Sequence, residues 1–294
     1  MRIDTILHPT DFSDGAAQAC TVAVDLATRY DAALHLFHGQ LLHTATRSEL
    51  PLAALAETVT AEASRLVAHD ATRHMPTVQV SQLPAVSAFE AIMERATDLR
   101  PDLIVMGTHG RGGLGRLLIG STAEKIVRHW TGHVVTVRNA VRPEREPDGE
   151  GPGRPRRILV PVDLSAGSAQ ALDAARWLAR GTDTQLDLLH VVEPIPPFYY
   201  GGNAQRGLAA DGDLHHFLER SLREWSGEID GATWTVTDGS APEEIARVAK
   251  NRRADLVVIG TRGLTGLPHM LIGSVTERVC RTCDTPVLVV RDVT

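Results

Sequence analysis

Gly107-Thr108-His109-Gly110 is followed, after nine intervening residues, by Gly120-Ser121, and Gly260-Thr261-Arg262-Gly263 is followed at the same spacing by Gly273-Ser274. The pattern G-x2-G-x9-G-S therefore occurs twice. Each copy follows a short apolar run, Leu103 to Met106 or Leu256 to Ile259, and precedes a helical pattern, Thr122 to His129 or Val275 to Thr282. The glycines thus fall on a strand-to-helix loop, where backbone N–H groups and the positive end of a helix converge on an anion such as phosphate. Glycine suits such a loop because it tolerates positive φ and lets the backbone approach a ligand with no Cβ between them.

Working outward, the repeat takes in nearly the whole chain. Ile6-Leu7-His8-Pro9-Thr10-Asp11-Phe12-Ser13 returns as Ile158-Leu159-Val160-Pro161-Val162-Asp163-Leu164-Ser165, and Leu34-His35-Leu36-Phe37-His38 returns as Leu186-Asp187-Leu188-Leu189-His190. Val134-Val135-Thr136-Val137-Arg138 returns as Val287-Leu288-Val289-Val290-Arg291. The 294 residues divide into a first domain at 1–140, a linker at 141–156 rich in Pro, Gly, Arg and Glu, and a second domain at 157–294. Each domain is large enough for a core of its own.

Within each half, apolar β-branched runs alternate with helical patterns, which predicts crossover helices and a parallel sheet. In the first half the strands lie near Ile3 to His8, Ala33 to His38, Thr77 to Ser81, Leu103 to Met106 and His133 to Arg138; helices begin near Ser13, Glu49, Val86 and Ser121. The second half repeats the order from Arg157, Gln185, Thr233, Leu256 and Pro286. The expected fold is α/β: two tandem doubly wound domains of Rossmann-like or flavodoxin-like type, each a five-stranded parallel sheet flanked by four helices. Such sheets bind ligands at the carboxyl ends of their strands. Ser13 and Ser165 suit the N-cap of the first helix of each half.

Composition narrows the function. Hydrophobic residues at 43% and charged residues at 22% are ordinary globular usage. A net charge of −6 argues against nucleic acid as the main partner, because phosphate-backbone binding needs a basic face. No apolar run is long enough for a membrane span, and no secretory leader precedes the first strand pattern, so a cytoplasmic protein is expected. There is no G-x4-G-K-[ST], and the turn Pro9 to Ser13 is not a dinucleotide G-x-G-x-x-G. Cys280 and Cys283 form a C-x-x-C, but at the end of a helix, whereas a redox pair uses the start of one, where the dipole lowers thiol pKa. Nor is there a second pair at zinc spacing, so no metal held by protein side chains is expected. His8, His35, His38 and His190 lie in or beside strands, as packed or hydrogen-bonded groups rather than catalytic ones. No candidate base is placed to activate water on a γ-phosphate, and no catalytic residue is assigned.

With both motif copies and the Asp after each first strand in hand, the chain resembles the universal stress proteins, specifically a tandem member of the ATP-binding type. The resemblance covers both halves apart from the linker. It implies Asp11 and Asp163 beside ribose or adenine, Gly39 and Val191 offering backbone groups to the adenine edge, and Met106 and Ile259 flanking the nucleoside. It implies Gly107, His109, Gly110, Gly120, Ser121 and Thr122 around the phosphates of one ATP, and Gly260, Arg262, Gly263, Gly273, Ser274 and Val275 around those of another, with Mg2+ on the phosphates. Gly39 departs from the family's apolar residue, which Val191 keeps. The same resemblance implies that the halves pair as an intramolecular pseudo-dimer through their last strands, with a further homodimer and an unnamed regulatory protein partner. The function implied is an ATP-binding regulatory protein of the stress response. Two alternatives stay open: a slow ATPase or autophosphorylating protein with Ser121, Thr122 or Ser274 as acceptor, and a nucleotide-free interaction scaffold. At residue level, Asp11 and Asp163 could cap the following turn, the glycines could serve close packing, and His109 and Arg262 could be solvated.

Overall fold

Runs such as Ile6-Leu7 and Ile158-Leu159 are apolar at successive positions, so both faces of the strand they form must be covered. That is what the computed structural model of the protein shows for the residues it describes, which are 1–42, 52–108, 120–138, 155–193, 212–261 and 272–291. The linker lies almost wholly outside these residues. The first half runs β1 (Thr5–Pro9), α1 (Asp14–Tyr30), β2 (Ala33–Leu41), α2 (Leu52–His69), β3 (Val78–Ala85), α3 (Ala88–Leu99), β4 (Leu103–Gly107), α4 (Ser121–His129) and β5 (His133–Val137). The second half repeats it as β6 (Arg157–Pro161), α5 (Ala166–Ala179), β7 (Gln185–Val192), α6 (Gly212–Ser226), β8 (Thr233–Asp238), α7 (Ala241–Asn251), β9 (Leu256–Gly260), α8 (Ser274–Thr282) and β10 (Val287–Val290). The expected α/β class, with tandem five-stranded parallel sheets and four helices each, is the observed one.

Ile6 and Leu7 point to opposite faces, and each meets its own core. Ile6 joins a cluster with side chains of α1, α2, α5 and α6, while Leu7 joins one with α3, α4, α7 and α8. Both clusters run through the two halves without a break. The Asp before each fourth strand fixes where the first strand starts: Asp102 Oδ2 accepts from the N–H groups of Asp4 (2.8 Å) and Thr5 (2.9 Å), and Asp255 Oδ2 from those of Arg156 (2.9 Å) and Arg157 (3.1 Å). Ser13 and Ser165 cap α1 and α5 as expected, accepting from the N–H of Ala16 and of Ser168, each at 3.2 Å.

Strand boundaries differ from the sequence reading in one instructive place. The reading ended the second and third strands of the first half at His38 and Ser81, whereas β2 runs to Leu41 and β3 to Ala85, with Gly39 opposite Leu83 and Gln40 opposite Pro84. Gln79, Gln82 and Pro84 hide this strand from a hydrophobicity pattern. They are tolerated because β3 is an outer edge, where alternate residues face solvent and a missing N–H costs no ladder bond.

The sheet order is β3-β2-β1-β4-β5-β10-β9-β6-β7-β8. Nine strand neighbours make one continuous sheet because β5 and β10 pair antiparallel, Val287 with Thr136, Leu288 with Val135 and Val289 with Val134. The edge pairing that the resemblance implied is therefore present within the chain. Beside it, Arg128 reaches Glu277 at 3.1 Å and Arg281 reaches Glu277 at 3.1 Å and Glu124 at 4.0 Å. Such part-exposed pairs add little stability individually. The ring of Tyr30 in α1 also stacks on Trp177 in α5, with centroids 4.8 Å apart. No helix among the described residues is long and apolar enough to cross a membrane.

The pairing predicts how one half behaves alone. Residues 1–140 expressed separately should leave the apolar edge Val134 to Val137 open and form dimers through it, as measured by sedimentation at micromolar concentration. A stable monomer would show that the edge is satisfied without a partner.

Candidate functional site

The strand order places α1 and α4 on opposite faces of neighbouring strands β1 and β4, which opens a crevice at the carboxyl ends of those strands; β6 and β9 repeat it. The wall supplied by β1 is the turn that follows it. Thr10 N–H donates to the Phe37 carbonyl at 2.8 Å, and the Thr10 carbonyl in turn contacts His38 Nδ1 at 2.8 Å. The second half repeats both contacts, from Val162 N–H to the Leu189 carbonyl and from the Val162 carbonyl to His190 Nδ1, each 2.8 Å. These two histidines are hydrogen-bonded to the turn, as the sequence suggested.

Each turn then passes through a left-handed residue with a bulky side chain, Phe12 at φ 60° and Leu164 at φ 65°. That conformation costs about 1 kcal/mol or more outside glycine and is kept in both halves. It lets the Asp carboxylate fold back on its own turn. Asp11 Oδ1 accepts from Ser13 N–H (3.1 Å) and Ser13 Oγ (2.6 Å). Asp163 Oδ1 accepts from Ser165 N–H (3.1 Å) and from the Ser168 hydroxyl. The turn-capping alternative is thus realised, and both carboxylates remain half-buried at the rim of the crevice.

The described motif glycines are explained by space rather than by left-handed backbone. Among the described glycines, only Gly181, Gly227, Gly231 and Gly239 have positive φ, which corrects the positive-φ expectation for Gly107, Gly120, Gly260 and Gly273. Gly120 and Gly273 have φ of −60° and −76°. A Cβ on Gly107 would stand 2.8 Å from the carbonyl carbon and oxygen of Gly15, and one on Gly260 would stand 2.5 Å from the carbonyl oxygen of Gly167. Gly107 and Gly260 therefore let the end of β4 or β9 touch the first turn of α1 or α5. Gly15 and Gly167 are themselves equivalent positions of the repeat, a signal the sequence reading did not use. On the other side, the N–H of Gly120 donates to the Thr108 carbonyl at 2.5 Å and that of Gly273 to the Thr261 carbonyl at 2.6 Å. A Cβ on Gly273 would lie 3.2 Å from that same Thr261 oxygen. The two ends of each motif are thus in contact, and His109, Gly110, Arg262 and Gly263 lie outside the described residues.

Serine side chains cap α1, α3 and α5; α7 starts at Ser240 with no side-chain cap bond, and α4 and α8 start at Gly120 and Gly273, which have no side chain to cap with. Their first-turn N–H groups are left for another acceptor. Ser121 and Ser274 are exposed at this end, with Thr122 and Val275 half-buried behind them. Met106 and Ile259 are buried in the core beneath α4 and α8. Gly39 is half-buried, and a Cβ there would sit 3.1 Å from that of Ala91 in α3, which accounts for glycine where the second half has Val191.

Three further groups define what the crevice is not. Cys280 and Cys283 are buried, and burial pushes the Cys280 thiol up to about 12; such a thiol is a poor nucleophile at neutral pH. Among the described residues no cluster of three His, Cys, Asp or Glu is arranged to hold a metal ion. His8 lies fully buried beneath the Asp11 turn, with Nδ1 2.9 Å from the Val105 carbonyl and Nε2 without a hydrogen-bond partner. Burial lowers its pKa to about 4, against the raising effects of that hydrogen bond and of Asp11. The second half carries Val160 in its place.

With this geometry established, known proteins were compared. The sequence model of the universal stress protein family matches residues 2–138 and again 155–291. A universal stress protein of Methanocaldococcus jannaschii is 31% identical over 150 residues, covering 46% of this chain and 82% of that protein. Universal stress protein YxiE of Bacillus subtilis is 30% identical over 147 residues, covering 46% of this chain and 98% of that protein. A relative from Mycolicibacterium smegmatis, also 30% identical, is matched over 64% of this chain and 61% of its own length. Among solved structures, a universal stress protein from Archaeoglobus fulgidus aligns with a TM-score of 0.67 at 18% identity, over 99% of this chain and 97% of that one. A functionally unknown protein from Pseudomonas aeruginosa aligns at 0.66 and 19% identity, over 98% and 92%. At such identities the structural likeness establishes the fold.

Two measurements test the local physics. Gly107→Ala and Gly260→Ala should each cost about 1–3 kcal/mol, read as a lower urea midpoint, because the new methyl meets helix backbone that cannot turn aside; unchanged midpoints would mean the helices do not press on these strands. His8 is neutral in the fold, while its unfolded counterpart protonates below about pH 6.5. Its contribution is therefore complete above that pH and is lost as pH falls toward 4, by about 3 kcal/mol in all. His8→Val should flatten stability between pH 7 and pH 4.5, and parallel curves for the two proteins would remove His8 as the cause.

Proposed function

The chain belongs to the universal stress protein family, and on that premise we propose that it is an ATP-binding regulatory protein with one nucleotide site in each half. The observation that carries this reading is that α4 and α8, equivalent helices of the repeat, both start at a glycine N-cap that has no side chain to cover their first N–H groups. Each does so beside the carboxylate turn of its own half. Contacts join the parts: β4 touches the first turn of α1 at Gly107, and the α4 N-cap bonds Thr108 one residue beyond. A bare helix start favours phosphate, and a half-buried carboxylate next to it favours ribose hydroxyls or the adenine amino group, so the two together suit a nucleotide better than a simple anion.

In this reading the backbone N–H groups at Gly120, Ser121 and Thr122 take the phosphates in the first half, and those at Gly273, Ser274 and Val275 take them in the second. Asp11 and Asp163 take the nucleoside, with Gly39 and Val191 at its edge and Met106 and Ile259 beneath it. His109, Gly110, Arg262 and Gly263 complete the two motifs. Mg2+ would ride on the phosphates and supply charge neutralisation there. The domains proposed are 1–140 and 157–294, and a cytoplasmic setting, a homodimer and a protein partner responding to occupancy belong to the same proposal.

The test is to denature the purified protein and identify what it releases. ATP is expected, at up to two per chain. Gly120→Val and Gly273→Val should each remove one equivalent while the circular dichroism spectrum is kept, and the double variant should release none. Retention by the double variant would overturn the site, and absence of nucleotide from the gently purified protein would favour an interaction scaffold. ADP or phosphoserine accumulating at Ser121 or Ser274 during incubation with ATP would make the protein a slow enzyme instead.

A further inference from the structure

The last strand of each half connects one candidate site to the helix of the other. Val137, the end of β5, pairs with Gly107, and its carbonyl accepts the Thr108 N–H at 2.9 Å, so it holds the base of the first motif. The next residue, Arg138, reaches into the other half. Its Nη1 donates to the Thr282 carbonyl at 2.8 Å and to Asp284 Oδ1 at 2.9 Å, at the carboxyl end of α8. The other half mirrors this. Val290 ends β10 opposite Gly260, the first glycine of the second motif, and the following Arg291 donates through Nη2 to the Val127 carbonyl near the carboxyl end of α4. Arg138 and Arg291 are equivalent residues of the repeat.

Both helices are only nine residues long, about 13 Å from end to end. A cation on the last carbonyls of such a helix and an anion on its first N–H groups act on the same short row of aligned peptide dipoles, and each strengthens the other. We propose that the two nucleotide sites are positively coupled through these crossed arginines: phosphate at the start of α4 tightens the hold of Arg291 on its end and so steadies the Val290–Gly260 base of the second site. Phosphate at the start of α8 does the same through Arg138 for the first site. The Glu124, Arg128, Glu277 and Arg281 cluster keeps α4 and α8 side by side while this happens. The proposal rests on the nucleotide reading of the preceding subsection and adds its regulation.

The coupling can be read without filling the second site. In the full chain carrying Gly273→Val, ATP can bind only the first half; coupling is reciprocal, so steadying the Val137–Gly107 base should in turn tighten Arg138 on α8, and amide hydrogen exchange is followed at residues 280–283 of α8 and its cap. ATP is expected to slow exchange there by about fivefold, the lower end of ordinary coupling between sites. Arg138→Met in the same chain should abolish that slowing while nucleotide is still retained, and Arg138→Gln, which also removes the charge, serves where the Met variant folds poorly. The reciprocal pair, Gly120→Val with Arg291→Met, should behave alike at the end of α4. Unchanged α8 exchange on ATP binding, or slowing that survives both Arg138 variants, overturns the coupling and leaves the nucleotide reading standing. A Gly273→Val chain that retains no ATP overturns the nucleotide reading and the coupling with it.

Discussion

The antiparallel ladder between β5 and β10 is the interaction on which the rest of this molecule depends. Val134, Thr136, Val289 and their neighbours are almost wholly excluded from solvent, and strands this apolar would be an open edge in a lone five-stranded domain. Pairing them removes the edge and makes two cores into two continuous layers. The remaining outer edges are those of β3 and β8. Pro84 interrupts the first, and threonines with Arg252 hydrogen-bonded across them cover the second, through Thr233 and Thr235 at 2.7 Å each. The sheet closes its apolar edge on itself and leaves only polar or interrupted ones outside.

A second constraint follows from the sheet's own geometry and shapes the candidate site. In a doubly wound half, the helix after the first strand must begin close to the end of the fourth, since those strands are neighbours. The approach here is so close that Gly107 cannot carry a side chain without displacing the backbone of Gly15, and the same holds for Gly260 against Gly167. Sterics thus bring the carboxylate turn and the bare start of α4 to one place before any ligand is considered. One glycine of the motif is needed to build the crevice, and another, at the N-cap, leaves the helix start uncovered. A single sequence pattern therefore serves packing and access at different positions.

Much of this was legible in the sequence because the repeat doubles every signal. Ser13 and Ser165 as caps and the alternation of strands with crossover helices are features whose causes are local, a hydroxyl before an apolar period and apolar runs between helical patterns, while the antiparallel edge was implied by the family resemblance. What escaped were features set by distant contacts. The extension of β2 and β3 through Gly39 and Pro84 depends on edge position, which no hydrophobicity pattern encodes. The need for glycine at position 107 depends on a helix more than ninety residues away, and a local reading assigned it to backbone flexibility instead. The crossed arginines belong to the same kind: Arg138 and Arg291 look like ordinary strand ends until the two-fold pairing brings each to the opposite helix.

Beneath the shared motif the halves have diverged in how they hold the same carboxylate. Asp11 is gripped within its own turn by Ser13, and position 16 is alanine. In the second half the equivalent of Ala16 is Ser168, a buried hydroxyl that donates to Asp163 Oδ1 and accepts from the Asp163 N–H at 3.0 Å. Asp163 thus meets a hydroxyl in the first turn of α5, and Asp11 the N-cap serine of α1. Below the turn, His8 adds a buried imidazole with one unpartnered nitrogen where Val160 packs inertly. A buried neutral histidine ties the first turn to pH in a way the second is not. Duplication preserved the spacing that forms the crevice, while the residues underneath gave its two copies different hydrogen bonding and a different response to protons.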